Sequence, residues 1–444
     1  MLLTIEKLIY GGEGLARLPA DASGRGKAVF VPFVLTGEKI EGSLTEQKPG
    51  FARARVEQIL EPSPHRVQPG CPYFGSCGGC HYQHASYEHQ LEIKKEILRE
   101  TLRRTAKLEG PVEIEVHPSP PWNYRNRSRL QVQTSPSFKT GYFQMGSHEL
   151  LAIEQCPISS PLINRAIAAL RQSGRANKVP EGVHEVEFFA NADDSQVMVE
   201  VSATQGARRA ALREWAEDLR TSLAEIIGIV VFRSSSPSGS GLPEKLLTIG
   251  ADHLLYQTKN AAYRVSAGSF FQTNRYLIDE LVRIVTQGQS GELALDLYAG
   301  AGLFSTALGS DMRHIISVES SQTSTNDLSY NQTSNGEVVQ ATTEQYLARG
   351  ENKGRVGKGA VLTHTLHKPD LAVVDPPRSG LGERVARGLP TLGAPRVIYV
   401  SCDPATLARD LVPLLASGYR IEQVHLVDLF PQTFHLETVV HLAR

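Results

Sequence analysis

Cysteine is scarce in this sequence, and its spacing is suited to chemistry. Five of 444 residues are Cys, and three of them, Cys71, Cys77 and Cys80, fall within the ten-residue stretch CPYFGSCGGC. Thiols at that spacing share one loop, with Gly78 and Gly79 relieving crowding between the last two. A fourth thiol, Cys156 in AIEQCPIS, is followed by proline, as Cys71 is. Four thiolates suit zinc or an iron–sulfur cluster. Structural zinc more often takes two closely spaced pairs, so one ligand isolated far downstream favours a cluster. His81 and His84 then read as ordinary loop residues. The fifth thiol, Cys402, stands alone in YVSCDPATLARD, after an apolar strand-like run and before a helix start. A helix N-terminus favours thiolate, which makes Cys402 a candidate nucleophile rather than a small buried hydrophobe. Glu437, in FPQTFHLETVVHL, precedes a β-branched apolar run. It is either a solvated strand end or a base facing the same pocket.

The elements that must hold these groups follow from patterning. Residues 1–60 contain short alternating runs (KAVFVPFV, ARARVEQIL) with Gly-rich turns between them, the pattern of a small β-barrel. EPSPHRVQPG reads as a linker into the cysteine segment. YEHQLEIKKEILRETLRRTAKLEG carries Leu91, Ile97, Leu98 and Leu102 at helical spacing and predicts an amphipathic helix ending at Gly110. From 111 to 260 strands and helices mix. From 261 apolar runs ending in Gly, Asp, Glu or Ser alternate with helical segments, predicting a doubly wound parallel sheet. The fold class is therefore α/β, in three domains: 1–60 a β-barrel, 61–260 a central α+β domain with the thiol loop, and 261–444 the doubly wound domain.

In such sheets ligands sit at the carboxyl ends of the strands. LALDLYAGAGLFS runs from a strand through Gly300 and Gly302 into a helix, and Glu319 ends the next strand about 20 residues on, where an acid takes ribose hydroxyls. A dinucleotide fingerprint would place Gly or Ala at position 305, which is Ser305, so a nucleoside-type cofactor fits better. Asp375 in VVDPPRSGL ends another apolar run at the same rim. Net charge is −1, so any nucleic-acid footprint must be local. One stretch offers it: in WNYRNRSRLQVQT, Arg125, Arg127 and Arg129 alternate on one strand face beside Trp122 and Tyr124, a combination suited to single-stranded RNA. Phe270 and Phe271 read equally as stacking platforms or core. No signal peptide and no apolar run of about 18 residues is seen, so a cytoplasmic protein without a membrane span is expected.

Together DLYAGAGLF, VVDPPRSGL, YVSCDPATLARD, FPQTFHLETVV and AGSFFQTN at 267–274 resemble the RNA uracil-C5 methyltransferases that use S-adenosylmethionine. The resemblance implies a Rossmann-like C-terminal domain, Cys402 as nucleophile, Glu437 as base, and Gln272, Tyr298, Glu319 and Asp375 against the methyl donor. Where many relatives carry Asp or Asn, this sequence has Thr342, and no adenine contact is assigned there. The thiol segment resembles the [4Fe–4S] motif of a subset of the family, implying a cluster on Cys71, Cys77, Cys80 and Cys156. Residues 1–60 resemble the TRAM domain, an oligonucleotide-binding-type barrel. The combination implies a loop of 23S ribosomal RNA as substrate and a monomeric enzyme. Transfer RNA is the alternative substrate within the family. A cluster-dependent redox enzyme and a non-catalytic RNA-binding module are the readings from other classes.

Overall fold

The computed structural model describes residues 1–19, 26–108, 110, 112–233, 244–351 and 368–444. Its C-terminal part is an eight-stranded sheet. Across the sheet the strands run Gly336–Gln340, Met312–Glu319, Gly291–Leu297, Leu371–Val374, Arg396–Ser401, Glu437–Ala443, Arg420–Val427 and Glu115–His117. All pairings are parallel except the two made by Glu437–Ala443, which lies antiparallel between its neighbours. Strands buried on both faces are apolar at every position, as in Leu371–Val374. Period-2 alternation then sorts the side chains: Leu293, Leu295 and Leu297 face one core, Ala294 the other.

The predicted amphipathic helix spans Tyr87–Thr105, ending short of Gly110. Its apolar stripe, Ile93, Ile97, Leu98 and Leu102, shares a core with Leu407, Leu411 and Leu414 of the helix Pro404–Ala416. This helix and the strand Glu115–His117, both within 61–260, thus pack on the C-terminal sheet. The same stretch also builds a second, seven-stranded mixed sheet between Arg127 and Gly250, backed by the helices Pro161–Arg175 and Arg209–Ser222, and His253–Gln257 pairs separately with Ala262–Ser266. Residues 2–61 form a six-stranded, mostly antiparallel sheet around Leu3, Ile5, Val29, Val31 and Ile40. That sheet is docked on the remainder: Lys7 pairs with Glu100, and Leu8 and Leu35 join the core under the helix Tyr87–Thr105. Among the described residues no helix is long and apolar enough to cross a membrane.

Candidate active site and thiol cavity

The carboxyl ends of the central strands form one crevice. After Leu297 the chain turns through Tyr298 (φ 66°), Gly300 (φ 57°) and Gly302 (φ 92°) into the helix Leu303–Leu308. At φ 92° Gly302 holds a backbone angle that side-chain-bearing residues rarely adopt, which demands glycine there. Glu319 accepts from the Gly300 amide at 2.9 Å and the Ser321 amide at 2.6 Å, which locks its carboxylate beside the turn. Asp296 accepts from the Ser305 amide at 3.0 Å. Burial pushes its carboxyl up to about 7 despite the hydrogen bonds from Ser305, and Asp375 is likewise pushed up to about 7 by burial and by the charge of Asp296. Gln272 is buried, its main-chain carbonyl accepting from the Asn126 side chain at 3.1 Å. Thr342 is occupied otherwise: it exchanges hydrogen bonds of 3.0 and 3.1 Å with Gln345 in a capping box.

Strand register brings the nucleophile candidate and the base candidate together. Ser401 pairs with Thr438 across the antiparallel ladder, so Cys402 emerges beside Glu437. The expected thiolate is not what the surroundings favour. Burial, then the charges of Glu437 and Asp375, push the Cys402 thiol up to about 12, with Arg378 opposing. The helix after it does not help, because Asp403 caps it and takes the Ala405 and Thr406 amides at 3.0 and 2.9 Å. Glu437 is 3% exposed and held well above the ordinary carboxylate range by burial and by Asp375. Sequence reading missed Asp296 and Arg378, although Arg378 lies in the same DPPRSG run as Asp375. It also missed Tyr10, which reaches in from the N-terminal sheet to Asp403 and stands edge-on to Phe434 at 5.3 Å.

The loop 428–436 that delivers Glu437 is tied from outside. Asp428 accepts from Lys94 at 2.6 Å and from Tyr87 at 2.9 Å. Gln432, in the left-handed region at φ 69°, exchanges side-chain and backbone hydrogen bonds with Gln90. Its carbonyl accepts the amides of His81 and Tyr82, in the thiol loop, at 2.8 and 2.9 Å. The Lys94–Asp428 pair is fully buried on both sides. Lys94→Ala is therefore expected to destabilise the protein by about 3–5 kcal/mol, because it leaves an unpaired buried charge. Denaturant unfolding checks this, and a loss under about 1 kcal/mol would mean the pair behaves as a solvated one.

Cys71, Cys77, Cys80 and Cys156 line one cavity, walled by Tyr73, Phe74, Tyr142 and Ile158. Cys156 is brought in because Arg125 pairs by its backbone with Ile158 and Ser160. The Arg125 side chain enters the same cavity, and its Nε has no partner. Burial pushes the thiols of Cys71, Cys77 and Cys80 up, Cys80 to about 12. Among the described residues, only Glu115, His117 and His425 place three such ligand atoms within 4.8 Å of one another, so no three of the thiols do.

A family model described as tRNA (Uracil-5-)-methyltransferase matches residues 86–444. The chain belongs to this family. It is 32% identical over 452 residues to the 23S rRNA (uracil(1939)-C(5))-methyltransferase RlmD of Chromohalobacter salexigens, covering all of this chain and 89% of that one. It is 33% identical to an uncharacterized RNA methyltransferase of Aquifex aeolicus, over 99% of this chain and 97% of the relative. Among solved structures it resembles the Pyrococcus abyssi tRNA (uracil-54, C5)-methyltransferase in complex with S-adenosyl-L-homocysteine, with a TM-score of 0.74, 25% identity and full coverage of both chains. The chain is thus an S-adenosylmethionine-dependent RNA uracil-C5 methyltransferase.

One expectation about how this methyltransferase meets RNA is corrected. Arg125, Arg127 and Arg129 do not form a free basic face. Tyr124 is buried, Arg125 is half-buried and lines the thiol cavity, and the strand starts at Arg127. Arg127 lies over Phe189 at 4.3 Å and pairs with Glu187 at 2.9 Å and Glu200 at 3.5 Å. Arg129 pairs with Glu187 at 2.5 Å and Glu185 at 3.5 Å. Alternation fixed a shared face, but glutamates on neighbouring strands neutralise it. The two phenylalanines, in contrast, separate cleanly. Phe271 is core, packed on Tyr256 at 4.8 Å, while Phe270 is 60% exposed.

Proposed function

We propose that this methyltransferase modifies carbon 5 of a uridine in a loop of 23S ribosomal RNA through a covalent adduct between Cys402 and carbon 6 of the uracil. The observation that carries this reading is the register pairing Ser401 with Thr438, which sets Cys402, Glu437 and Asp375 around one point of the crevice. Carbon 5 of uracil is a poor nucleophile. The Cys402 thiol gives up its proton to solvent and the sulfur adds to carbon 6, which raises the electron density at carbon 5, and carbon 5 then takes the methyl group. Glu437, as carboxylate, removes the proton left on carbon 5, and the sulfur–carbon bond breaks to restore the ring. S-adenosylmethionine, when bound, supplies the methyl group from a positively charged sulfur. Gln272, Tyr298, Glu319 and Asp375 are the residues that would hold it. Glu319, pinned by two amides, keeps its remaining acceptor positions for hydroxyl groups. Phe270 is available to stack on the extruded base.

The carboxyls explain why a cationic donor suits this pocket. A positive charge beside Asp375 and Asp296 favours their ionised forms and lowers both from about 7. Binding then releases protons, so affinity for S-adenosylmethionine is expected to rise as pH increases from about 6 to 8 and to level off above. S-adenosylhomocysteine, whose sulfur is neutral, should show a flatter profile. Calorimetric titration of both across this range checks the sign. A constant affinity ratio would remove Asp375 from the sulfonium's surroundings.

For the thiol cavity we propose a [4Fe–4S] cluster on Cys71, Cys77, Cys80 and Cys156. Tetrahedral zinc with bonds of about 2.3 Å needs thiolates roughly 3.8 Å apart, and no three of these reach 4.8 Å mutual spacing. The unpartnered Arg125 Nε offers a donor and a positive charge to a thiolate-rich group. Methyl transfer consumes no electron, and the thiol loop is bonded to Gln432, so the role we assign is support of the catalytic loop and RNA grip. The N-terminal sheet fits the TRAM reading, with Tyr10 at the rim. The ribosomal substrate rests on the RlmD relative, whose likeness spans the whole chain, and would place the enzyme in the cytoplasm.

The test is methyl transfer by anaerobically purified protein with labelled S-adenosylmethionine, on unmodified 23S ribosomal RNA and on transfer RNA in parallel, followed by nucleoside analysis for 5-methyluridine. Label in ribosomal RNA alone is expected. Label in transfer RNA alone keeps the chemistry and overturns the substrate.

A further inference from the structure

The edge strand Glu115–His117 meets the strand Arg420–Val427 and the helix Ile278–Thr286 at a cluster that methyl transfer does not use. His117 Nε2 and His425 Nδ1 face each other at 3.1 Å. The Glu115 carboxylate approaches both, at 3.6 Å and 3.4 Å. The outer nitrogen of each ring already has an oxygen partner: His117 Nδ1 meets Glu280 Oε1 at 2.8 Å, and His425 Nε2 meets Gln423 Oε1 at 3.2 Å. Glu280 is also gripped by Arg283 at 2.7 Å, so it offers only acceptors to His117. With both outer nitrogens donating, the inner pair present lone pairs to one another and to a carboxylate. Three acceptors converge with no donor among them.

That arrangement has the dimensions of a metal site. Tetrahedral zinc bonds of about 2.0–2.1 Å put ligand atoms roughly 3.3–3.4 Å apart; here the two imidazole nitrogens are 3.1 Å apart, Glu115 reaches one with Oε2 at 3.4 Å and the other with Oε1 at 3.6 Å, and one atom from each residue lies within 4.8 Å of the other two. The outer oxygens on each imidazole are those that fix tautomer and ring orientation around zinc. The Glu280–Arg283 pair is neutral, so an incoming cation meets the charge of Glu115. The remaining side faces a groove that includes His441, whose Nε2 is buried without a partner.

We propose that Glu115, His117 and His425 bind one zinc-class divalent cation, with Glu280 and Gln423 positioning the imidazoles. Two imidazoles and a carboxylate select zinc over calcium or magnesium. The cation would clamp a three-residue edge strand at the point where the chain leaves for the central sheet.

The experiment uses the full chain, purified anaerobically with its thiol site loaded, and cobalt(II) alone as probe. Expected are one cobalt per chain by equilibrium dialysis and visible bands without thiolate-to-metal charge transfer. His117→Ala and His425→Ala should each abolish this binding, Cys71→Ser should retain it, and Glu280→Gln should weaken it about 10- to 100-fold. No bound cobalt in the wild-type protein overturns the proposal, whatever the variants do. Binding that survives both histidine substitutions, or that carries thiolate charge-transfer bands, overturns it equally.

Discussion

Cys402→Ala is expected to lower methyl transfer by at least about 10⁴-fold while leaving the fold and donor binding intact. No other described thiol shares the crevice, since the remaining four line the thiol cavity. The thiol rests protonated and makes no hydrogen bond on which the fold depends, so its removal takes away a reacting atom and little else. Single-turnover transfer from labelled S-adenosylmethionine measures the loss, and donor affinity measured alongside separates chemistry from binding. Residual turnover above about 1% of wild type would rule out an obligatory adduct.

Glu437→Gln should behave differently, stopping the reaction after the methyl group has moved. The amide is nearly isosteric with the carboxyl, so the variant should keep the fold. It cannot accept the proton on carbon 5. Turnover is expected to fall about 10²- to 10⁴-fold, and a protein–RNA band that survives denaturing electrophoresis should accumulate. Adding Cys402→Ala must abolish that band. A Glu437→Gln enzyme that turns over freely would assign proton removal to another group.

Much of this was legible in the sequence because parallel strands declare themselves. Apolar runs closing on Gly300, Glu319, Asp375 and Cys402 gave the C-terminal fold and the edge of the crevice without any long-range information. What escaped depends on partners far away in the chain. The basic stripe of Arg127 and Arg129 is neutralised by Glu185, Glu187 and Glu200, which lie on other strands. The helix start at Asp403 suggested an activated thiol, yet burial, and then carboxyls from three different elements, reverse that tendency at Cys402. The helix Tyr87–Thr105 was visible as amphipathic, but periodicity does not say which core receives its apolar stripe.

The link between Lys94 and Asp428 also bears on how the chain acquires its structure during synthesis. These two residues are 334 positions apart, and His117 and His425 are 308 apart. The segment carrying Lys94 emerges early and has no partner for its charge until residues beyond 428 follow. Closing such long loops is slow, and the contacts that close them also seat Glu437. Nascent chains should therefore hold the helix Tyr87–Thr105 undocked, as a waiting piece available to chaperones, and the catalytic loop should form in the same late step that completes the sheet.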